Sequence, residues 1–255
     1  MKLLAVDIGN TSIHFALHAR GRWHGHFWLP TYSADRLLRR SLLRKARLLK
    51  NADALVASVV PAKTRVLKRI LRSLGLRCRE IGKEVGVPIV NRYRRPRQVG
   101  VDRLLNALAA WRRCARETIV VDFGTAITFD VVGRKGEYLG GVIAPGIEIS
   151  LEALFRKTAL LPKIRLRHPR HWIGKDTVES IRVGCSVGIG GLCDRVVEAI
   201  SRKYRMRPAV LATGGYAAFM KRYCRRIQSV QKDLLLDGIL LTYRDFLSQK
   251  SRLTK

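Results

Sequence analysis

The sequence predicts a mixed α/β fold built from two similar halves, and three observations carry that reading. Residues 3–17, LLAVDIGNTSIHFAL, pass from an apolar run through an Asp-x-Gly turn with a nearby Thr into alternating apolar and polar residues. Residues 118–132, TIVVDFGTAITFDVV, repeat the order. After each copy come amphipathic helical stretches and short apolar runs of the buried-strand kind, ALVASVVP at 54–61 and PAVLATGG at 208–215. Interleaved strands and helices over 255 residues indicate α/β lobes with a boundary near residue 115, giving 1–115 and 116–255. Two such lobes facing one another create a cleft that both Asp-x-Gly turns would line.

Each element has a local reason. Residues 3–8 and 12–17 form a strand, a tight turn and a returning strand, with Gly9 supplying the turn's backbone freedom; Gly124 does the same in the second copy. A Gly-rich third strand follows there, YLGGVIAPG at 138–146, whereas the first copy has a shorter analogue around Arg22 to Leu29. Between Arg36 and Lys50, basic residues interleave with Leu37, Leu38, Leu42, Leu43, Leu48 and Leu49. From Lys63 to Arg79 they surround Val66, Leu67, Ile70, Leu71 and Leu74, so both stretches read as amphipathic helices with a solvated basic face. Asp102 stands where a helix through LLNALAAW would be capped, and another helix is expected near Tyr216 after Thr213-Gly214-Gly215.

Composition narrows the function classes. With 47% hydrophobic residues and four Trp, the chain has material for a core, which excludes a disordered basic tail. It has no run of eighteen apolar residues, and Asp7 interrupts any signal-peptide core, so a soluble cytoplasmic protein without membrane contact is expected. The five cysteines, at 78, 114, 185, 193 and 224, show no Cys-x-x-Cys spacing and read as small buried hydrophobes in a reducing compartment. His24/His26 and His168/His171 lack a third ligand nearby in sequence and read as surface or loop residues. The net charge of +31 is the footprint of a polyanion binder, but it is spread along the whole chain. It permits nucleic-acid contact through a non-specific basic surface, and no helix-turn-helix, zinc or RNA-recognition motif accompanies it.

The turns point to phosphate. A strand that ends in Asp, Gly and Thr exposes successive backbone N–H groups and a hydroxyl, which suit phosphate oxygens. One such turn is commonplace; two at the same place in two similar halves, followed by a Gly-Gly loop, are a stronger signal.

DIGNTS at 7–12, DFGTAIT at 122–128 and ATGG at 212–215 resemble the phosphate-1, phosphate-2 and adenosine elements of the acetate and sugar kinase, Hsp70 and actin superfamily. GVDR at 100–103, VVDFGTAITFD, GGVIAPG at 140–146, DTVESIRVG at 176–184 and DLLLDGI at 233–239 narrow the resemblance to type III pantothenate kinase over nearly the whole chain. The resemblance implies duplicated actin-like (ribonuclease H-like) lobes with an interlobe cleft and an ATP-dependent kinase that forms 4'-phosphopantothenate in coenzyme A biosynthesis. It also implies a homodimer that uses Mg2+ and a monovalent cation, K+ or NH4+.

Residue by residue, it implies that Asp7, Ile8, Gly9, Asn10, Thr11, Ser12, Ile13 and His14 wrap the ATP phosphates, with Asp7 orienting magnesium through its waters. Thr125 contacts ATP and Asp122 holds the monovalent cation. Tyr93, Gly100, Val101, Asp102, Arg103 and Thr177 hold pantothenate, with Arg103 facing its carboxylate and Asp102 as general base. The His14 side chain is expected to be incidental. Arg94 and Arg95 stand where the family usually has an acidic or amide residue and Asn, and Val101 where Ala is more usual; neither change removes a required chemical group. Two alternatives stay open at this point: a kinase for another small alcohol, and a nucleic-acid-associated transcription accessory protein of the same fold.

Overall fold

A computed structural model describes residues 1–253. The first hairpin forms as expected, from β1 (Lys2–Ile8) and β2 (Ser12–Ala19), and β3 (Arg22–Pro30) extends it. This third strand is nine residues long, not the shortened analogue anticipated. Its register with β2 absorbs a bulge between Phe15 and Leu17, and that irregularity interrupts the alternation by which a strand is read.

The basic stretch after Arg36 is not one helix. It divides into α1 (Asp35–Leu43) and α2 (Ala46–Leu49), with the break at Lys45, whose backbone leaves the helical region at φ −107° and ψ 4°, while Arg44 N still donates to Arg40 O at 3.1 Å. After β4 (Asp53–Ser58) comes α3 (Pro61–Ser73), opened by proline at its first position. It is closed by Gly75 at φ +75°, with Gly75 N donating to Arg72 O at 2.9 Å and Leu76 N to Leu71 O at 3.1 Å. That closure frees Arg77–Glu80 to become β5 instead of prolonging the helix, and α4 (Val101–Cys114) follows after a single 3₁₀ turn at Pro96–Gln98.

The second half repeats the plan: β6 (Thr118–Phe123), β7 (Ala126–Val132), β8 (Tyr138–Pro145), α5 (Ile147–Lys157) and α6 (Thr177–Val183). A wider π-type turn at Gly184–Gly188 leads into α7 (Ile189–Lys203), then β9 (Ala209–Thr213), α8 (Ala217–Met220), β10 (Ser229–Val230) and α9 (Leu234–Leu253). The two sheets have equivalent orders, β3-β2-β1-β4-β5 and β8-β7-β6-β9-β10. Each is an antiparallel meander joined at its first strand to two parallel strands.

Packing divides the chain into two compact units, Met1–Ala109 together with the segment from Leu234 onward, and Ala110–Asp233. The contiguous division near residue 115 expected from sequence leaves α9 in the second half, whereas α9 packs in the first unit. There, Leu4, Val6, Ile8, Ile13, Phe15 and Leu17 face Leu38, Leu42, Leu67 and Leu71 of α1 and α3. The alternate residues Leu3, Ala5 and Ala16 face Leu105 of α4 and Leu236, Ile239, Leu240 and Tyr243 of α9. Trp23 Nε1 donates to Asp237 Oδ1 at 3.0 Å, and the Tyr243 hydroxyl is hydrogen-bonded to Asp53, which also pairs with Arg77. In the second unit Ile119, Val121, Phe123, Ile127, Phe129 and Val131 pack with Ile147, Cys193, Val197 and Met220. All five cysteines are free, four of them buried and Cys114 half-buried. No helix among the described residues is long and apolar enough to cross a membrane.

Candidate active site

In the first unit β1 and β4 run parallel, with Asp7 beside Ala57 and Ile8 beside Ser58, and Val59 N donates to Ile8 O at 3.1 Å. Their carboxyl ends therefore finish together, the edge where α/β sheets place their ligands. The turn that leaves β1 is braced from below. Gly9 N donates to Ser12 O at 3.0 Å, Thr31 Oγ1 donates to Gly9 O at 2.7 Å, and Thr31 N donates to Thr11 O at 3.0 Å. Held this way, Asn10, Thr11 and Ser12 are exposed while Asp7 is half-buried and Ile8 and Ile13 lie in the core.

Helix α4 begins at the same edge. A Cβ on Gly100 would overlap Asp102 Oδ1 and come within 3.8 Å of Val59 Cγ1, so the helix start lies against the residue that follows β4. Gly100 O accepts the first bonds of the helix, from Arg103 N at 3.2 Å and Leu104 N at 3.4 Å. Asp102 thus stands in the first turn and not at the capping position before it, and its Oδ1 still accepts Arg103 N at 2.9 Å. Burial pushes the Asp102 carboxyl above its ordinary range, opposed by that bond and by the Arg103 charge. Arg103 is only 8% exposed, and Val101 packs against the α9-side core. Tyr93 is half-buried in the preceding loop, where its N–H donates to Asn91 Oδ1 at 3.0 Å; Arg94 and Arg95 are exposed.

His14 is paired with Asp7 across β1–β2 and with Trp28 across β2–β3. Its ring stacks on Trp28 at 4.3 Å between centroids and 10° between planes, and His14 Nε2 lies 3.2 Å from His26 Nδ1. Burial, assisted by His26, lowers the His14 pKa to about 4, so the ring is neutral beside the loop at pH 7. Its side chain, expected to be incidental to the site, is fixed by a three-ring stack that also removes His26 from the free-surface description. Spacing along the chain gives no sign of this stack, because it arises from cross-strand register.

The second unit repeats the device. β6 and β9 are parallel, with Asp122 beside Thr213, so the DFGT and TGG turns emerge next to one another. Gly214, at φ +91°, passes so close that a Cβ would overlap Asp122 Oδ1 and lie 2.7 Å from the Phe123 carbonyl carbon. A Cβ on Gly146 would lie 2.6 Å from the Thr125 carbonyl carbon, so GGVIAPG closes over the other side of the turn. Tyr216 N donates to Phe123 O at 3.3 Å, and Tyr216 OH donates to Glu148 Oε1 at 2.9 Å. Thr177 opens α6 directly after its cap, Asp176, whose Oδ1 accepts Glu179 N at 2.8 Å.

Asp7 to Ser12 and Gly100 to Asp102 therefore share one sheet edge, while Asp122 and Thr125 share another with Gly214. Tyr93 and Thr177 stand on separate segments. Thr31 and Gly146, which shape the two turns, were not singled out; the Pro-Gly pair closing GGVIAPG was the available signal for the second. Among the described residues no three His, Cys, Asp or Glu side chains gather to hold a metal. Any divalent cation here would draw most of its oxygen ligands from phosphate and water, a habit of magnesium.

The family model described as type III pantothenate kinase matches residues 3–199. A protein of that name from Syntrophotalea carbinolica is 38% identical over 252 residues, covering 94% of this chain and 98% of its own length. Among solved structures, one described as a Baf family transcriptional activator from Campylobacter jejuni has a TM-score of 0.61 at 20% identity, covering 96% of this chain and 99% of that one. MreB5 of Spiroplasma citri bound to ADP has a TM-score of 0.56 at 11% identity, covering 98% of each. These two likenesses show the fold alone, that of the actin-like ATPases.

Proposed function

This chain belongs to the type III pantothenate kinase family, and from that premise we propose how its residues carry the ATP-dependent phosphorylation of pantothenate to 4'-phosphopantothenate. Asp102 is the base. Phosphoryl transfer passes through a loose transition state, so the protein mainly aligns donor and acceptor, and one carboxylate orients the acceptor hydroxyl and takes its proton. The supporting observation is the shared edge, with a half-buried Asp102 at the helix start that lies against Val59, next to the carboxyl end of β1. Burial makes its carboxylate a stronger base than a solvated one while leaving it near the phosphate loop.

The exposed run Asn10–Ser12 offers backbone N–H groups and hydroxyls to the ATP phosphates, and Thr125 offers its own from the second turn. Asp7 is the carboxylate fitted to magnesium, and Asp122, pressed by Gly214, is fitted to a potassium or ammonium ion. Bound with ATP, these cations offset charge on the phosphates. Arg103, Tyr93 and Thr177 orient pantothenate, the active species is a homodimer, and five unpaired cysteines suit a cytoplasmic, reducing setting.

The test is turnover of pantothenate by the purified protein with ATP and magnesium, in potassium or in sodium, for the parent, Asp102→Asn and Asp122→Asn. We expect Asp102→Asn to lower kcat by about 10²–10⁴-fold in either salt. Asp122→Asn is expected to erase the preference for potassium. Full turnover by Asp102→Asn would move the base to another residue.

A further inference from the structure

We propose that the second unit carries, at the amino-terminal edge of its sheet, a binding site for a small organic anion, a phosphate ester with an apolar limb. The site is a cavity of about 460 Å³ between the start of β6, the end of α7 and the segments that flank β9. That volume falls within the range of small-molecule sites, roughly 300–1,000 Å³.

The fold assembles it from three directions. Ala209 N donates to Glu117 O at 2.8 Å, which brings the approach to β6 alongside the approach to β9, and Arg116 donates to the Arg207 carbonyl. Val197, Glu198, Ser201 and Arg202 present one face of α7 to the cavity. Arg226 and Gln228 complete the ring; Gln228 is anchored to Val210 by its N–H to Val210 O at 2.9 Å and by its Oε1, which accepts Val210 N at 3.3 Å.

The lining separates by chemistry. The floor is apolar and buried, formed by Val197, Met206, Pro208 and Val210. The rim carries four guanidinium groups, from Arg116, Arg202, Arg207 and Arg226, against the single carboxylate of Glu198, which lies 4.0 Å from Arg226. Among the described residues no ion pair reaches Arg202 or Arg207. Cationic side chains at the end of α7 complement the helix dipole, which accounts for Arg202. It does not account for three more arginines arriving from other segments around one concavity. Guanidinium forks match phosphate oxygens two at a time and stay charged at any physiological pH, and the apolar floor suits a hydrocarbon limb.

This edge is distinct from the nucleotide turns. The strand from Thr118 to Asp122 places them about 13 Å apart along β6, on opposite ends of the same sheet.

The test is calorimetric titration of the full chain with 1-naphthyl phosphate and, separately, inorganic phosphate, on the parent and three variants. We expect one naphthyl phosphate per chain, bound at least about tenfold more tightly than inorganic phosphate. Arg202→Ala/Arg207→Ala should weaken it about tenfold or more, with turnover of pantothenate unchanged. Glu198→Gln should tighten it. Arg36→Ala/Arg40→Ala, on the basic helix α1 of the first unit, should leave it within about twofold of the parent, since a surface-wide effect would be shared. Equal losses in both arginine pairs, or none in the rim pair, would reduce the binding to general charge. Inorganic phosphate binding as tightly as the naphthyl ester, or no tightening on Glu198→Gln, would equally overturn the proposal. The glutamine variant keeps the question open to decision should the double alanine variant fold poorly.

Discussion

Asp102, the proposed base, sets stability against the chemistry proposed for it. Its pKa is raised in the fold, so protonation favours folding, and the stabilisation present below its ordinary value of 3.8 is lost as pH rises through the raised value. At pH 7 the ionised carboxyl is a burden on the native state. Asparagine keeps the acceptor for Arg103 N without the charge, so Asp102→Asn is expected to melt no lower than the parent at pH 7, with any gain gone at pH 3.5, while turnover collapses. His14 runs the other way. Its folded pKa of about 4 lies below its ordinary 6.5, so the unfolded chain takes up the proton first and stability falls as pH drops from 6.5 toward 4. In melting curves across that window, His14→Gln should lose less stability than the parent; parallel losses in the two proteins would remove the Trp28–His14–His26 stack from the account.

At the scale of elements, the glycines separate tight contacts from free ones. A Cβ on Gly238 of α9 would lie 2.7 Å from the Leu105 carbonyl carbon, whereas one on Gly191 of α7 meets nothing within 4 Å. Gly238→Ala is expected to lower stability by about 1–3 kcal/mol, because backbone cannot yield as a side chain does. Gly191→Ala should raise it by up to about 1 kcal/mol through helix propensity. Denaturant midpoints read both, and a neutral Gly238→Ala would mean that α9 docks more loosely than its contacts indicate. Much at this scale was legible in sequence. Each apolar run ending in Asp-x-Gly became a strand and turn, since period-two burial and glycine freedom are local properties. The split of the basic helix at Lys45 and the full length of β3 were not legible. The first depends on a backbone turn at Lys45 inside a pattern that stays periodic, and the second on a bulge that spoils alternation. His14 reads from sequence as part of the loop that leaves β1; it lies on β2 instead, and its ring partners come from a third strand that no local pattern ties to it.

For the whole molecule, 50 basic residues against 19 acidic ones leave a net charge of +31, and the compact state holds that charge together. Exposed like charges are screened within about 8–10 Å at 0.1–0.15 M salt. The melting temperature should therefore rise by several degrees between 0.02 and 0.3 M sodium chloride, opposite to a protein held by surface ion pairs; a falling curve would show that the paired minority outweighs the unpaired excess. The candidate site was legible at this scale in its two Asp-x-Gly turns and the GVDR segment, since each carries its chemistry in a short run. The placement of α9 was not: Leu236, Ile239 and Tyr243 find their partners in Leu3, Leu55 and Asp53, far away in sequence. That return of the last helix has a consequence during synthesis. The segment Ala110–Asp233 is continuous and can fold as it leaves the ribosome, whereas the strands made first keep an open apolar face until the final helix is translated. The half of the protein that carries the Asp7–Ser12 turn and Asp102 is begun first and finished last, so a nascent chain halted before Leu234 would bind chaperones while already displaying a folded second unit.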